Sequence, residues 1–431
     1  MSIISYRPSI NDLERNKFNN DGSVHISPGE NSRDAFGKLR ISTPHGVFDS
    51  KQIGDNDPGA WDTIIVGAGS SASYVQDSSS TTITVDSNAG DRATRQTRFY
   101  WPYLPGRSHA ISMTGTLGEP VEGVYKRIGY FDDDNGLFFE LAGDGTVNVV
   151  VRSSTSGSPV ETRIPQSEWN LDTLDGVSNH SIARLDLTKS QIFLIDFQWL
   201  GVGDVRFGIS INGHPHYVHV IHHANNTAGV YMKTPTLPVR YEVYNEDGGN
   251  TAEIEQICST VVSEGGYDNA GFEFSVSNGA VTRAISTRTP ILAIRMAATF
   301  NGDVNRRTAR LLAQSLYASS ASCYWEVMHY HDPASVTGNF ISAGASSSVE
   351  YSVDISAITA GGPAHRIDTG FVSAGSGTNQ AGAENLTTHS TRHTVLSRNA
   401  ANDNSHYMII FATPFSGTAD VSAAMNWVEM S

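Results

Sequence analysis

Cysteine is almost missing from this chain. Cys258 and Cys323 are its only two, which rules out a disulfide framework and a zinc site built from thiolates. Charge is scarce as well. Only 17% of the 431 residues are Asp, Glu, Lys or Arg, against about 25% in an ordinary globular protein. A large, Ser-, Thr- and Gly-rich chain with so little charge fits a protein that hides part of its surface in an assembly. The formal net charge is −15, which speaks against nucleic acid or an anionic membrane as partner of the whole molecule. Apolar runs of about 18 residues, the length of a membrane-spanning helix, are also lacking. The opening MSIISYRPSINDLERNKF has no apolar h-region, so synthesis in the cytoplasm without a signal peptide is expected. No strong helix signal occurs anywhere.

What is present is period-2 alternation. In residues 191–223, Val205, Phe207, Ile209 and Ile211 alternate with polar or small residues, and upstream Phe193, Ile195, Phe197 and Trp199 likewise fall at every second position. Both runs read as half-buried strands. Asn212-Gly213 suits a two-residue type I′ turn. That turn sets Ile211 opposite His214, Ile209 opposite His216, Phe207 opposite Val218 and Val205 opposite Val220. The register places His216, Val218 and Val220 inward, and Tyr217, His219 and Ile221 outward.

Similar short strands are expected near 62–66, 81–86, 96–102, 109–116, 124–131, 136–142, 147–152, 238–244 and 252–262. Turn signals such as Asp132–Gly136 and Gly143-Asp144-Gly145 separate them. A second series follows Ser263–Tyr267, with strands near 271–276, 281–286, 291–299, 323–331, 349–355, 405–413 and 419–428, and long loops over 356–404. Residues 303–318 fit a helix or a strand, and strand is preferred. The expected fold is all-β: two consecutive antiparallel β-sandwiches of jelly-roll type, over 56–265 and 266–431, after an extended N-terminal arm over 1–55. The arm is polar and aperiodic, and its spaced apolar residues Phe36, Leu39, Ile41 and Phe48 are expected to anchor it on a neighbouring molecule.

Four patterns invite a chemical reading. DTIIVGAGSSA (62–72), with Asp86 downstream, has the outline of a dinucleotide-binding turn. The eight residues that follow it form no amphipathic helix, however, and are too few for a parallel crossover. It reads as a hairpin loop, and no cofactor is expected. His214, His216, His219, His222 and His223 are dense enough to suggest a metal. Residues two apart on a strand are about 7 Å apart, too far for one ion without a second strand. They read as packed or surface histidines, the alternative being a ring of symmetry-related histidines on an oligomer axis, and no metal site is assigned. Asp132-Asp133-Asp134-Asn135-Gly136 fails the EF-hand template, because Phe131 stands where its first acid belongs. It reads as a hairpin turn, with a peripheral calcium site as the alternative. Glu140, Asp196 and Glu326 lie in apolar strands, but glycoside hydrolysis needs two carboxylates about 5–9.5 Å apart, and sequence does not pair them. They are expected to face solvent, and no catalytic residue is assigned.

DAFGKLRISTPHGVFDSKQ (34–52), Trp61 with Gly67-Ala68-Gly69, RATRQTRFYWPYLPGRSH (92–109), IGYFDDDNGLFFE (128–140), TRTPILAIR (287–295) and the closing Trp427-Val428-Glu429 together resemble a family of tailed-bacteriophage virion proteins. The resemblance implies a structural virion component without enzymatic activity: a capsid-decorating, head–tail, tail-associated or fibre protein. It would pair with itself, most plausibly as a homotrimer, and with other virion proteins. The alternative is a tail receptor-binding protein that binds or depolymerises a host-surface glycan.

Overall fold

The computed structural model describes residues 43–430, apart from 179–180, 267–270, 281, 375 and 381–394. The chain is all-β, in antiparallel sheets that pack as sandwiches, and the described residues contain no α-helix. Fifteen strands build the first part: β1 (Pro44–Lys51), β2 (Trp61–Val66), β3 (Ser71–Val75), β4 (Ser80–Val85), β5 (Arg92–Thr97), β6 (Ser108–Thr116), β7 (Val124–Phe131), β8 (Gly136–Leu141), β9 (Val147–Ser153), β10 (Val160–Pro165), β11 (Gln191–Phe197), β12 (Val205–Ile211), β13 (His214–Ile221), β14 (Val239–Asn245) and β15 (Ala252–Glu264). An eight-stranded sheet runs β13-β12-β11-β6-β15-β4-β3, with β1 on β15, and a seven-stranded sheet runs β10-β9-β8-β7-β14-β5-β2. One core lies between them, where Phe193, Ile195, Phe207 and Ile209 meet Phe139, Val149, Val239 and Tyr241.

The second part repeats the plan with two six-stranded sheets. Their core holds Trp325, Trp427, Met408, Leu292 and Ile294. Thr308–Ser319 is a strand, as preferred, and pairs along Ala419–Met430.

Four local expectations are corrected. Phe48 packs inside this chain: β1 pairs with β15 where β4 has stopped, and Phe48 is buried, stacked on Trp101 with ring centroids 4.7 Å apart. Phe36, Leu39 and Ile41 lie outside the described residues. The strand expected at 96–102 sits earlier, at Arg92–Thr97, because Phe99, Tyr100 and Trp101 leave the sheet to wall the core. The Asn212-Gly213 turn has φ of +53° and +80°, and its register holds from Ile211–His214 to Gly208–Tyr217. A bulge then moves Phe207 opposite His219 rather than Val218 and buries His219. Gly67–Ser70 is no hairpin: β2 and β3 belong to different sheets, and the loop crosses between them. A Cβ on Gly67 would stand 2.0 Å from the Asp91 carboxylate, and one on Gly69 1.9 Å from that of Asp86. Close approach, not phosphate binding, explains these glycines.

Candidate functional site

Strand alternation gives the seven-stranded sheet a second face, turned away from the core. Register turns that parity into rows. Thr94, Glu242, Arg127, Glu140 and Asn148 stand side by side across β5, β14, β7, β8 and β9. The next row holds Gln96, Arg240, Gly129, Phe138, Val150 and Arg163. In the row beyond it stands Arg152, which pairs with Gly136 on one side and Glu161 on the other.

Long guanidinium side chains lie over a small apolar floor of Phe131, Phe138 and Val150. The Arg152 guanidinium is 5.1 Å from the Phe138 ring centroid, and that of Arg240 is 5.3 Å from Phe131. The carboxylates are held by the same groups. Arg127 donates from Nε to Glu140 at 2.9 Å and from Nη1 to Glu242 at 2.9 Å. Arg163 donates to Glu140 at 2.7 Å and also meets Glu161. Arg152 donates to Glu161 at 2.5 Å, and Arg240 to Asp133 at 2.8 Å. Burial alone would raise the carboxyl of Glu242, but Arg240 and then Arg127 outweigh it and hold it at about 2. Burial likewise works against the charge on Arg127, and Glu242 and Glu140 override it to raise its pKa.

Above this network is a hollow of about 470 Å³, lined by Arg92, Arg127, Arg152, Arg163, Glu161, Glu242 and Tyr244 among others. Tyr244 and its cross-strand neighbour Tyr125 are half-buried, and the Tyr125 ring lies 5.5 Å from the Arg127 guanidinium. The arrangement presents fixed donors, fixed acceptors and aromatic faces within one groove. A larger hollow of about 1110 Å³ lies beside Gly118, Gln166 and Arg184. Its acids serve their own turns: Asp175 accepts from the backbone of Val177 and Ser178, and Asp186 from that of Thr188.

Of the acids singled out in the sequence, none faces solvent as expected. Glu140, Asp196 and Glu326 are all buried, and each is paired with arginine: Glu140 as above, Asp196 with Arg206, and Glu326 with Arg288 and Arg366. A buried charge needs a counter-charge, and cross-strand register supplies it. The histidines of 214–223 do not converge. His216 bonds Asp172 at 2.8 Å, His222 bonds Asp204 at 2.9 Å, and His223 stacks on Tyr231. Asp132 accepts from the backbone of Asp134 and Asn135, closing the β7–β8 hairpin turn. Missed at the sequence level were Arg127, Arg152, Arg163, Arg240 and Glu242. Their signal was a repeated outward parity in neighbouring strands, invisible until the strands are ordered.

The sequence matches no known protein family and no curated protein. Among solved structures it is similar to a family 16 glycosyl hydrolase from Mycobacterium smegmatis, at 12% identity over 50% of this chain and 100% of that one, with a TM-score of 0.33. A beta-1,3-glucanase from Mycobacterium marinum aligns at 13% identity over 50% of this chain and 98% of its own, with a TM-score of 0.34. A protein of unknown function from Shewanella oneidensis aligns at 10% identity over 53% and 89%, also with a TM-score of 0.34. The expectation of a protein without catalysis is corrected on this finding: structures the chain resembles are glycosyl hydrolases, and that expectation is dropped. At these identities and TM-scores the likeness assigns no activity, so function is argued from the groove.

Proposed function

We propose that the chain binds a hydroxyl-rich glycan in the groove over the seven-stranded sheet. The observation that carries this reading is the row Glu242–Arg127–Glu140, continued by Arg163 and Glu161, beneath a hollow edged by Tyr244. Sugar hydroxyls both donate and accept, and fixed carboxylates and guanidiniums offer the complementary sites. Tyrosine faces suit the apolar faces of pyranose rings. The groove's balance of opposite charges fits a neutral or weakly charged sugar better than a polyanion. Glu140 and Glu242 flank one guanidinium, and they are the carboxylate pair on which cleavage would be sought. The virion resemblance supplies a setting for this reading: a receptor-binding component of a tailed-phage particle, acting on host-surface glycan as a homotrimer beside other virion proteins.

The test is a glycan array followed by calorimetric titration of the best ligand against the protein and Arg163→Ala, with reducing-end release measured in parallel. Binding that weakens roughly tenfold in the variant supports the groove, since a charge-assisted hydrogen bond is worth about 1.5–3 kcal/mol. No binding to any glycan, or equal binding by the variant, overturns it. Release of reducing ends that is lost in Glu242→Gln adds hydrolysis to binding. Light scattering gives the assembly state: a mass of 46.4 kDa, that of one chain, would refute the trimer.

A further inference from the structure

We propose that His329, His331 and His365 form a site for a borderline divalent cation of the zinc class, in the second sandwich beside Arg98. His329 belongs to the strand Cys323–Tyr330, and His331 follows it two residues later. His365, on the edge strand Ala364–Val372, stands directly opposite His329. The second strand that the 214–223 histidines lack is therefore present here. Ring centroids are 4.2 Å apart for His329 and His331, 5.3 Å for His329 and His365, and 5.2 Å for His331 and His365. One ligating nitrogen from each lies within 4.8 Å of the others. A tetrahedral ion with bonds of about 2.0–2.1 Å needs nitrogens about 3.4 Å apart, which small ring rotations supply.

A second observation points to a ligand. His331 is fully buried, yet neither of its ring nitrogens has a hydrogen-bond partner. A buried polar side chain left so calls for an explanation, and an ion is one. The neutral imidazole is the ligating form. An all-nitrogen donor set favours zinc-class ions over calcium or magnesium, which take oxygen. His406, also fully buried, has its ring 4.6 Å from His331 and its Nε2 without a partner, so it stands ready as a fourth ligand. Arg98, the cation beside these rings, is itself met by two carboxylates, Asp62 at 2.6 Å and Asp332.

The experiment uses the untagged full chain, stripped with chelator, reloaded with zinc and passed through gel filtration before metal analysis. Cobalt loading is followed in parallel by its visible absorption. The expected result is one zinc per chain, with affinity at least roughly tenfold lower in His331→Ala and His365→Gln and unchanged in the control His222→Ala. His365 is half-buried on an edge strand, so its variant remains decisive where His331→Ala fails to fold, with circular dichroism as the check. No stoichiometric zinc in the wild type, or wild-type affinity in His365→Gln, overturns the site. Its failure would leave the glycan groove untouched, because none of these histidines lines that groove.

Discussion

At the scale of single residues, the groove is organised by Arg127. Its guanidinium serves two fully buried carboxylates, so Arg127→Met leaves both without their shared partner. Breaking a buried pair from one side costs about 3–5 kcal/mol, and urea unfolding of this variant should show a loss of that size. Glu242 sets a pH dependence of definite sign. Its carboxyl falls from an ordinary 4.5 unfolded to about 2 folded, so its contribution is complete above the unfolded value. That contribution disappears as pH falls from about 4.5 toward 2, and amounts to on the order of 3 kcal/mol. The unfolding free energy of the wild type should therefore drop over this window by more than that of Glu242→Gln. Parallel pH profiles would contradict the assignment.

At the scale of elements, β1 decides where the arm ends. Residues 44–51 share the polar character of what precedes them, and only their pairing with β15 marks them as sheet. A chain starting at residue 44 should keep the thermal stability of the full chain, whereas one starting at residue 52 should lose much of it. Equal melting by calorimetry would show that β1 is dispensable. Phe48→Ala tests the same strand more gently. An aromatic removed from a packed core costs about 3–5 kcal/mol, and Phe48 touches both Trp61 and Trp101. The meander 191–223 was readable because its strands and turns are local, and its Asn-Gly turn took the expected backbone. The bulge at Val218 was not readable, since an added residue leaves no mark on composition and shifts only the partner strand.

At the scale of the whole molecule, the two sandwiches meet through a few named contacts. Arg98 reaches Asp62 in the first and Asp332 in the second. Asp62 also accepts from the Ala400 backbone at 2.8 Å, and Arg306 lies 4.6 Å from the Tyr100 ring. Arg98→Ala removes the central cation and should split a single melting transition into two, since separable domains depart from two-state unfolding. One unchanged transition in scanning calorimetry would place the coupling elsewhere. The carboxyl of Asp62, pushed up to about 6 by burial, disfavours the folded state as pH rises from about 4 through 6. Its effect thus opposes that of Glu242 over the acid range.

The sequence by itself determined the all-β class, most strand positions and the hairpin turns. Alternation at period 2 and turn-forming residues are properties of neighbours along the chain, and steric rules act on them directly. Only the tertiary structure decided which strands lie side by side, and every functional feature depends on that. Arg127 meets Glu140 across a hairpin, but Glu242 comes from β14, far along the chain. His365 meets His329 only once two distant strands are paired in one register. Pairing of distant strands is set by the collective burial of the sandwich core, and a shift of one residue would turn every one of these side chains to the opposite face.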